Sequence, residues 1–112
     1  MSAVELLGQA QRVLNEPRKD GLSSRMAAFL ARQALELIVD QRCTEVEAPA
    51  SWASMRSKLA VLRSLDTPEA ADSASIAWNR LSSACHVHAF ELQPSAAEVK
   101  HLCGVVASLL PG

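Results

Sequence analysis

The stretch MAAFLARQALELIVDQ, Met26 to Gln41, decides the fold of this 112-residue chain, because it is apolar over most of a helical circumference. The polar residues of this region fall on one narrow stripe: Arg25, Arg32, Glu36 and Asp40. A helix with this pattern is buried against several neighbours, so we expect it to lie at the centre of a bundle. We predict that it begins at residue 23 or 24 and runs to about residue 43.

Four further amphipathic segments surround this central one, and capping signals mark their beginnings. The caps are Ser2 with Glu5, Ser51, Thr67 with Pro68 and Glu69, and Ser95 with Glu98. The predicted helices end near residues 15, 65, 87 and 109, and no period-two pattern typical of a strand is visible. We therefore predict one all-α domain over residues 1–112: a compact antiparallel bundle of four main helices plus a fifth.

The helical pattern also assigns side chains to the core or to the surface. Trp52 and Trp78 sit on apolar stripes, so we expect both in the core or in an interface. Cys85 and Cys103 are interpreted as small buried hydrophobic residues. The basic residues of the third helix are interpreted as a solvated face: Arg56, Lys58 and Arg63.

Composition and charge exclude several classes of protein. Eleven basic and twelve acidic residues give a net charge of −1, which argues against a broad binding surface for duplex DNA. The longest apolar runs fall far short of the ~20 residues that span a bilayer, and no signal-peptide pattern opens the chain. Three widely spaced cysteines favour reduced thiols over a disulfide framework. We expect a cytoplasmic protein without a membrane segment.

The segment WNRLSSACHVHAF, residues 78–90, carries the candidate chemistry. Arg80 and His86 are six residues apart, which places them roughly 120° apart on an ideal helix, with Ser83 between them. These three side chains can border a single groove. Ser83 and His88 are the candidate binding residues of this segment.

The pair of Arg80 and His86 suits the cleavage of RNA. Histidine titrates near neutral pH, so a neutral imidazole can take the proton from a ribose 2′-hydroxyl group. A guanidinium group can hold the phosphate through two hydrogen bonds and stabilise the charge that develops on its oxygens. Ser83 would position the nucleotide, and this scheme needs neither a metal ion nor another cofactor.

The motif RLSSACH, an arginine and a histidine separated by five residues, resembles the Rx4-6H signature of the HEPN superfamily. The segment ARQALELIVD resembles the alanine- and leucine-rich central helices of that group. The segments AFLARQALE, SMRSKLAVLR and ACHVHAFELQPSAAEV are similar to those of small bacterial proteins common in actinomycetes. The resemblance to the HEPN superfamily implies an HEPN-like bundle and metal-independent action on RNA or nucleotides in a toxin–antitoxin or defence setting. It also implies a dimer in which two motifs share a cleft.

The same residues can also have purely structural roles or form a metal site. Arg80 can be a solvated residue or the ion-pair partner of Glu36 or Asp40. His86 and His88, near a helix end, can bond its free carbonyl groups and interact favourably with its dipole. A zinc site would use Cys85, His86 and His88, with His101 or Cys103. No known zinc spacing is present, so we predict no metal, and the apolar position of the Cys85 thiol argues against a nucleophile.

The sequence leaves two functions open. One is an HEPN-like protein that acts on RNA or nucleotides, with His86 as the base and Arg80 as the phosphate ligand. The other is a non-catalytic interaction module whose exposed apolar positions bind a partner protein or form a homodimer. Whether the chain is an enzyme is therefore undecided at this stage.

Overall fold

A computed structural model describes residues 1–16, 22–50, 52–86 and 94–111, which form α-helices joined by turns and loops. The helices are α1 (Ala3–Asn15), α2 (Ser23–Glu45), α3 (Met55–Leu65), α4 (Pro68–Cys85) and α5 (Ala96–Ser108). No β-strand occurs within the described residues. The predicted all-α helical bundle is confirmed.

Helix α2 is the centre of the bundle, as its sequence predicts. It packs against each of the other four helices. Its buried positions include four alanines and the larger side chains Leu35, Ile38 and Val39, which have no exposed surface. The core therefore forms around α2 because this helix offers an apolar surface to every neighbour.

Three predicted helix caps are present. The Ser2 and Ser95 hydroxyl groups accept hydrogen bonds from the amides of Glu5 (3.1 Å) and Glu98 (3.0 Å), and Thr67 accepts one from the Ala70 amide at 3.2 Å. Each bond satisfies one of the amides that a helix leaves unpaired in its first turn. These three helices thus begin where the local sequence predicts.

The start of α3 differs from its prediction. The helix begins at Met55, and Ser54 is its N-cap, accepting a hydrogen bond from the Ser57 amide at 3.2 Å. The predicted cap, Ser51, lies outside the described residues. Trp52 precedes the helix and is 88% exposed, so it does not lie in the core, and its place in an interface stays a prediction. Trp78 is partly buried and packs against the core, as predicted.

The interpretation of Lys58 as part of a solvated face was also wrong. Lys58 is only 7% exposed, and its Nζ lies 2.6 Å from Oδ1 of Asp40 on α2. Lys58 lies one turn before Leu62, which has no exposed surface, so both residues are on the buried side of α3. The aliphatic part of the Lys58 side chain is buried there, and its ammonium group pairs with the Asp40 carboxylate. Arg56 and Arg63 are exposed, as predicted.

A second ion pair joins three parts of the bundle. Arg42 on α2 donates from Nε and Nη2 to the Asp66 carboxylate, at 2.7 and 3.0 Å, and from Nη1 to the Leu109 carbonyl at 2.9 Å. Asp66 also accepts a hydrogen bond from the Thr67 amide at 2.7 Å. One arginine therefore ties α2 to the α3–α4 junction and to the end of α5.

The described helices have no segment that is both long and apolar enough to cross a bilayer.

Candidate functional site

A groove opens where the first half of α2 meets the C-terminal end of α4. Its volume is about 600 Å³, within the range of ligand-binding clefts. The lining residues are Leu22, Arg25, Met26, Phe29, Leu30, Arg32, Cys85 and His86. Most of this lining is apolar, and the two residues in it with a permanent charge are arginines. We call this feature the His86 groove.

His86 caps the C-terminus of α4. Its backbone amide donates to the Ser83 carbonyl at 3.2 Å, which is a tight last turn, and the residue is exposed. Because the helix ends here, the imidazole lies on the wall of the groove and not on a continuing helical surface. An exposed imidazole at this point can exchange protons with a bound molecule.

Two arginines of α2 flank the same groove. Nε of Arg25 donates to the Cys85 carbonyl at 3.2 Å, which fixes the exposed side chain beside the end of α4. Nε of Arg32 donates to the Ser82 hydroxyl at 3.0 Å, and its guanidinium carbon lies 4.0 Å from the Trp78 ring centroid. Arg32 therefore joins α2 to α4, whereas Arg25 uses only one of its donors in that contact.

Sequence reasoning placed Arg25 and Arg32 on a polar stripe but did not connect them with His86. The contacts that bring them together join residues sixty and fifty positions apart in the chain. The one available signal was their spacing of seven residues, two helical turns on one side of α2, which indicates a shared neighbour but does not identify it. Arg32 also contacts Glu36, one turn further along α2, at 3.7 Å.

The structure does not place Arg80 or Ser83 on the wall of the His86 groove. Arg80 is exposed on α4, and the Ser83 hydroxyl group donates to the Asn79 carbonyl at 3.1 Å. The separation of roughly 120° around the helix directs Arg80 away from His86. The pairing of Arg80 with His86 in one catalytic site stays a prediction, and His88 lies outside the described residues.

The alternative ion-pair partners of Arg80 are engaged by other residues. Glu36 contacts Arg32, and Asp40 contacts Lys58. Arg80 is therefore neither buried against α2 nor gathered into the groove. It is a solvated residue on the outer side of α4.

The cysteine thiols are shielded from solvent to different degrees. Burial raises the pKa of the Cys85 thiol above its ordinary value, although Arg32 and Arg25 act in the opposite direction. Cys85 is partly buried, whereas Cys103 is 1% exposed, as its position in the sequence predicts, and burial raises its pKa as well. Both thiols are protonated at neutral pH, which disfavours a nucleophilic role.

The candidate zinc ligands do not converge within the described part of the chain. There, no group of three or more His, Cys, Asp and Glu side chains is close enough together to hold a metal ion. His101 is exposed on α5, whereas Cys103, two residues further on, faces the core. The geometry of α5 thus separates two of the residues that a zinc site would need together.

A second feature continues from the groove along the outside of α2. Large apolar side chains are exposed on one side of this helix: Leu22 (39%), Met26 (41%), Phe29 (50%) and Leu37 (42%). Exposed Gln33 lies between the last two. We call these five residues the α2 face. Sequence analysis missed this face, because an apolar helix in a bundle is ordinarily expected to be covered on most of its circumference.

Comparison of the chain with protein-family models, with curated proteins and with solved structures gives no match. Within the described residues, the His86 groove and the α2 face are two neighbouring surfaces on which a molecule could bind. They share Leu22, Met26 and Phe29. Any molecule that covers one of them also covers part of the other.

Proposed function

We propose that this chain is a non-catalytic interaction module that binds a protein partner through the α2 face. The observation that carries this proposal is the row of four large apolar side chains, each 39–50% exposed, on the central helix of the bundle. Contiguous exposed apolar surface marks interaction sites in soluble domains, whereas single exposed hydrophobic residues are ordinary.

The spacing of this row supports binding to a helix. Leu22, Met26 and Phe29 recur at intervals of four and three residues, followed by Gln33 and Leu37. Such i, i+4, i+7 positions are the usual anchors when one helix lies along another apolar surface. The His86 groove widens this surface at one end, and at the other end Gln33 and Leu37 line a second recess of about 370 Å³ with Met1 and Leu6.

Photo-crosslinking in cells that express the chain tests the interaction module. A photoreactive phenylalanine analogue at Phe29 should give a covalent adduct with a protein, because it lies at the centre of the proposed interface. The same analogue at Lys100, which is exposed on α5, serves as the matched control. Equal adduct yields at the two positions, or no adduct at Phe29, would contradict the proposal.

A second candidate is an HEPN-like action on RNA in a toxin–antitoxin or defence setting. The observation that favours it is the exposed His86 imidazole in a groove whose permanent charges are both positive. His86 would take the proton of a ribose 2′-hydroxyl group, and the resulting oxygen would attack the adjacent phosphorus and displace the 5′-oxygen. The sequence predicts Arg80 as the phosphate ligand. The groove itself contains the guanidinium groups of Arg25 and Arg32, of which Arg32 already contacts Ser82 and Trp78.

RNA degradation by purified protein in the presence of EDTA tests this second candidate. His86→Ala should lower the rate by about 10²-fold or more if the imidazole is the base. Arg80→Ala and Arg25→Ala would show which guanidinium holds the phosphate, with Arg12→Ala on exposed α1 surface as the control. Residual activity that is the same in all four variants and the wild type indicates contamination and rejects this function.

A further inference from the structure

We infer that the partner of the α2 face is a second copy of this chain, packed with the two α2 helices antiparallel about a two-fold axis. This inference rests on the proposed interaction function and names its partner. The axis would pass close to Leu30 and Ala31, midway along the α2 face. A surface that pairs with itself in this way must be complementary to its own rotated copy.

The order of side chains along the α2 face suits such a pairing. Met26, Phe29 and Gln33 follow the 3-4 spacing of a helix–helix seam, with Leu22 and Leu37 extending it in each direction. In the antiparallel arrangement, Phe29 and Gln33 of both copies lie nearest the axis. Leu22 and Met26 of one copy then lie along the half of the partner that carries Leu37.

The central glutamine fits this arrangement for a chemical reason. Each Gln33 would lie about 4 Å along the helix from the axis, so the two amides are within reach of each other. An amide carries both donors and an acceptor, so two of them can pair across a two-fold axis. A single polar residue in an otherwise apolar seam fixes the register of paired helices.

Charge complementarity favours a second copy as the occupant. Arg25 and Glu36 are eleven residues apart and lie within roughly 20° of each other around α2, on the same flank of the face. Roughly 16 Å separates them along the axis, so they cannot pair with each other within one helix. Inside the chain, Glu36 contacts Arg32 at 3.7 Å and Arg25 donates one hydrogen bond to the Cys85 carbonyl, so both keep polar atoms for a partner. A two-fold axis at their midpoint places Arg25 of each copy opposite Glu36 of the other.

The opposite orientation lacks this complementarity. In a parallel pair, the flank that carries Arg25 and Glu36 would meet the other flank of the second copy, where Met26 and Leu37 are the nearest large side chains at those two levels. A charged side chain against an apolar one gains no ion pair and loses hydration. The distribution of charge therefore selects the antiparallel dimer.

Sedimentation equilibrium with a charge-reversal cycle tests the inference. Arg25→Glu and Glu36→Arg should each weaken the dimer by about tenfold in Kd, because each creates two like-charge contacts. The double variant R25E/E36R should restore the wild-type Kd to within about threefold, since the opposite charges again face each other. A merely structural role of either residue inside one chain would make the double variant worse than both single variants.

Phe29→Ser should give a monomer with an unchanged circular dichroism spectrum, because Phe29 is half exposed. Lys100→Glu, a charge reversal on exposed α5 surface, should leave the Kd unchanged. A wild-type chain that stays monomeric at about 100 µM overturns the homodimer. If the crosslinker at Phe29 then joins a different protein, the interaction module stands without the homodimer, and the absence of any adduct rejects both.

Discussion

At the scale of single residues, Asp66 shows how one carboxylate links separate parts of the chain. Its side chain is 10% exposed and accepts hydrogen bonds from Arg42 and from the Thr67 amide. The Arg42 hydrogen bond holds the pKa of Asp66 below its ordinary value. Because the pKa is lowered by folding, this contribution to stability is present above the unfolded pKa, about 3.9, and is lost as the pH falls toward the folded pKa.

Replacing Asp66 by asparagine should therefore change both stability and its dependence on acid. Asp66→Asn should lower the free energy of unfolding by about 2 kcal/mol at pH 7, where the charged hydrogen bonds are intact in the wild type. The difference in free energy of unfolding between the wild type and Asp66→Asn should shrink as the pH falls below about 4. Urea unfolding at pH 7, 5 and 3 measures this.

Asp72→Asn is the matched control for this carboxylate. Asp72 is 62% exposed and lies 3.5 Å from Arg63, so its removal should change stability by less than about 0.5 kcal/mol. If the wild type and Asp66→Asn differ in free energy of unfolding by the same amount at every pH, the charged Arg42–Asp66 pair is not the source of the stabilisation.

At the scale of secondary-structure elements, α2 and α4 pack against each other and both are rich in buried alanines. The buried alanines of α4 are Ala70, Ala71, Ala74, Ala77 and Ala84, and those of α2 are Ala27, Ala28, Ala31 and Ala34. Small side chains allow helix axes to approach toward the lower end of the usual 8–10 Å range. Arg32 of α2 also joins the two helices: its side chain donates to the Ser82 hydroxyl group and lies over the Trp78 ring, both on α4.

Replacing one of these buried alanines by a larger residue should lower the free energy of unfolding. Ala74 has no exposed surface, so Ala74→Leu should lower the free energy of unfolding by about 1–3 kcal/mol through overpacking. Ala107→Leu, at an exposed position of α5, should cost much less. Chemical denaturation of the two variants compares them, and an equal effect would show that α2 and α4 are not closely packed at Ala74.

Gly104 lowers the stability of helix α5. This residue is exposed, and a β-carbon built on it would have no atom within 4 Å. Gly104→Ala should therefore raise the free energy of unfolding by about 0.5–1 kcal/mol, because alanine loses less backbone entropy in a helix. A thermal melt measures the shift, and a lower Tm would mean that the position needs the freedom of glycine.

At the scale of the whole molecule, the bundle covers one side of α2 and leaves the other exposed. The remaining helices pack around its buried residues, while the α2 face and the His86 groove form a continuous surface on the outside. The two proposed functions thus use overlapping side chains. Association through the α2 face and binding in the groove compete for Met26 and Phe29.

A hydrophobic dye should report this overlap. Dye fluorescence per chain should fall as the protein concentration rises through the dimerisation Kd, because the second copy covers the apolar surface. Phe29→Ser should show a lower signal that does not depend on concentration. Fluorescence titration against protein concentration measures the effect, and a constant signal per wild-type chain would place the self-associating surface elsewhere.

The sequence by itself determined the order of the helices and the caps of α1, α4 and α5. Ser2, Thr67 and Ser95 cap the helices that their local sequences predict, and the apolar periodicity of α2 places it at the centre. These features are predictable because capping and amphipathic periodicity depend on residues within one or two turns of each other. The composition of the core follows from the same periodicity.

The tertiary structure alone decided which charged groups meet and which apolar side of α2 stays exposed. Lys58 is buried because Asp40 faces it from another helix, and Arg25 lines the same groove as His86 because it donates to the Cys85 carbonyl, sixty residues away in the chain. Arg80 is exposed and does not line the groove for the same reason. Such contacts depend on the relative placement of whole helices, which the local pattern of one segment does not contain.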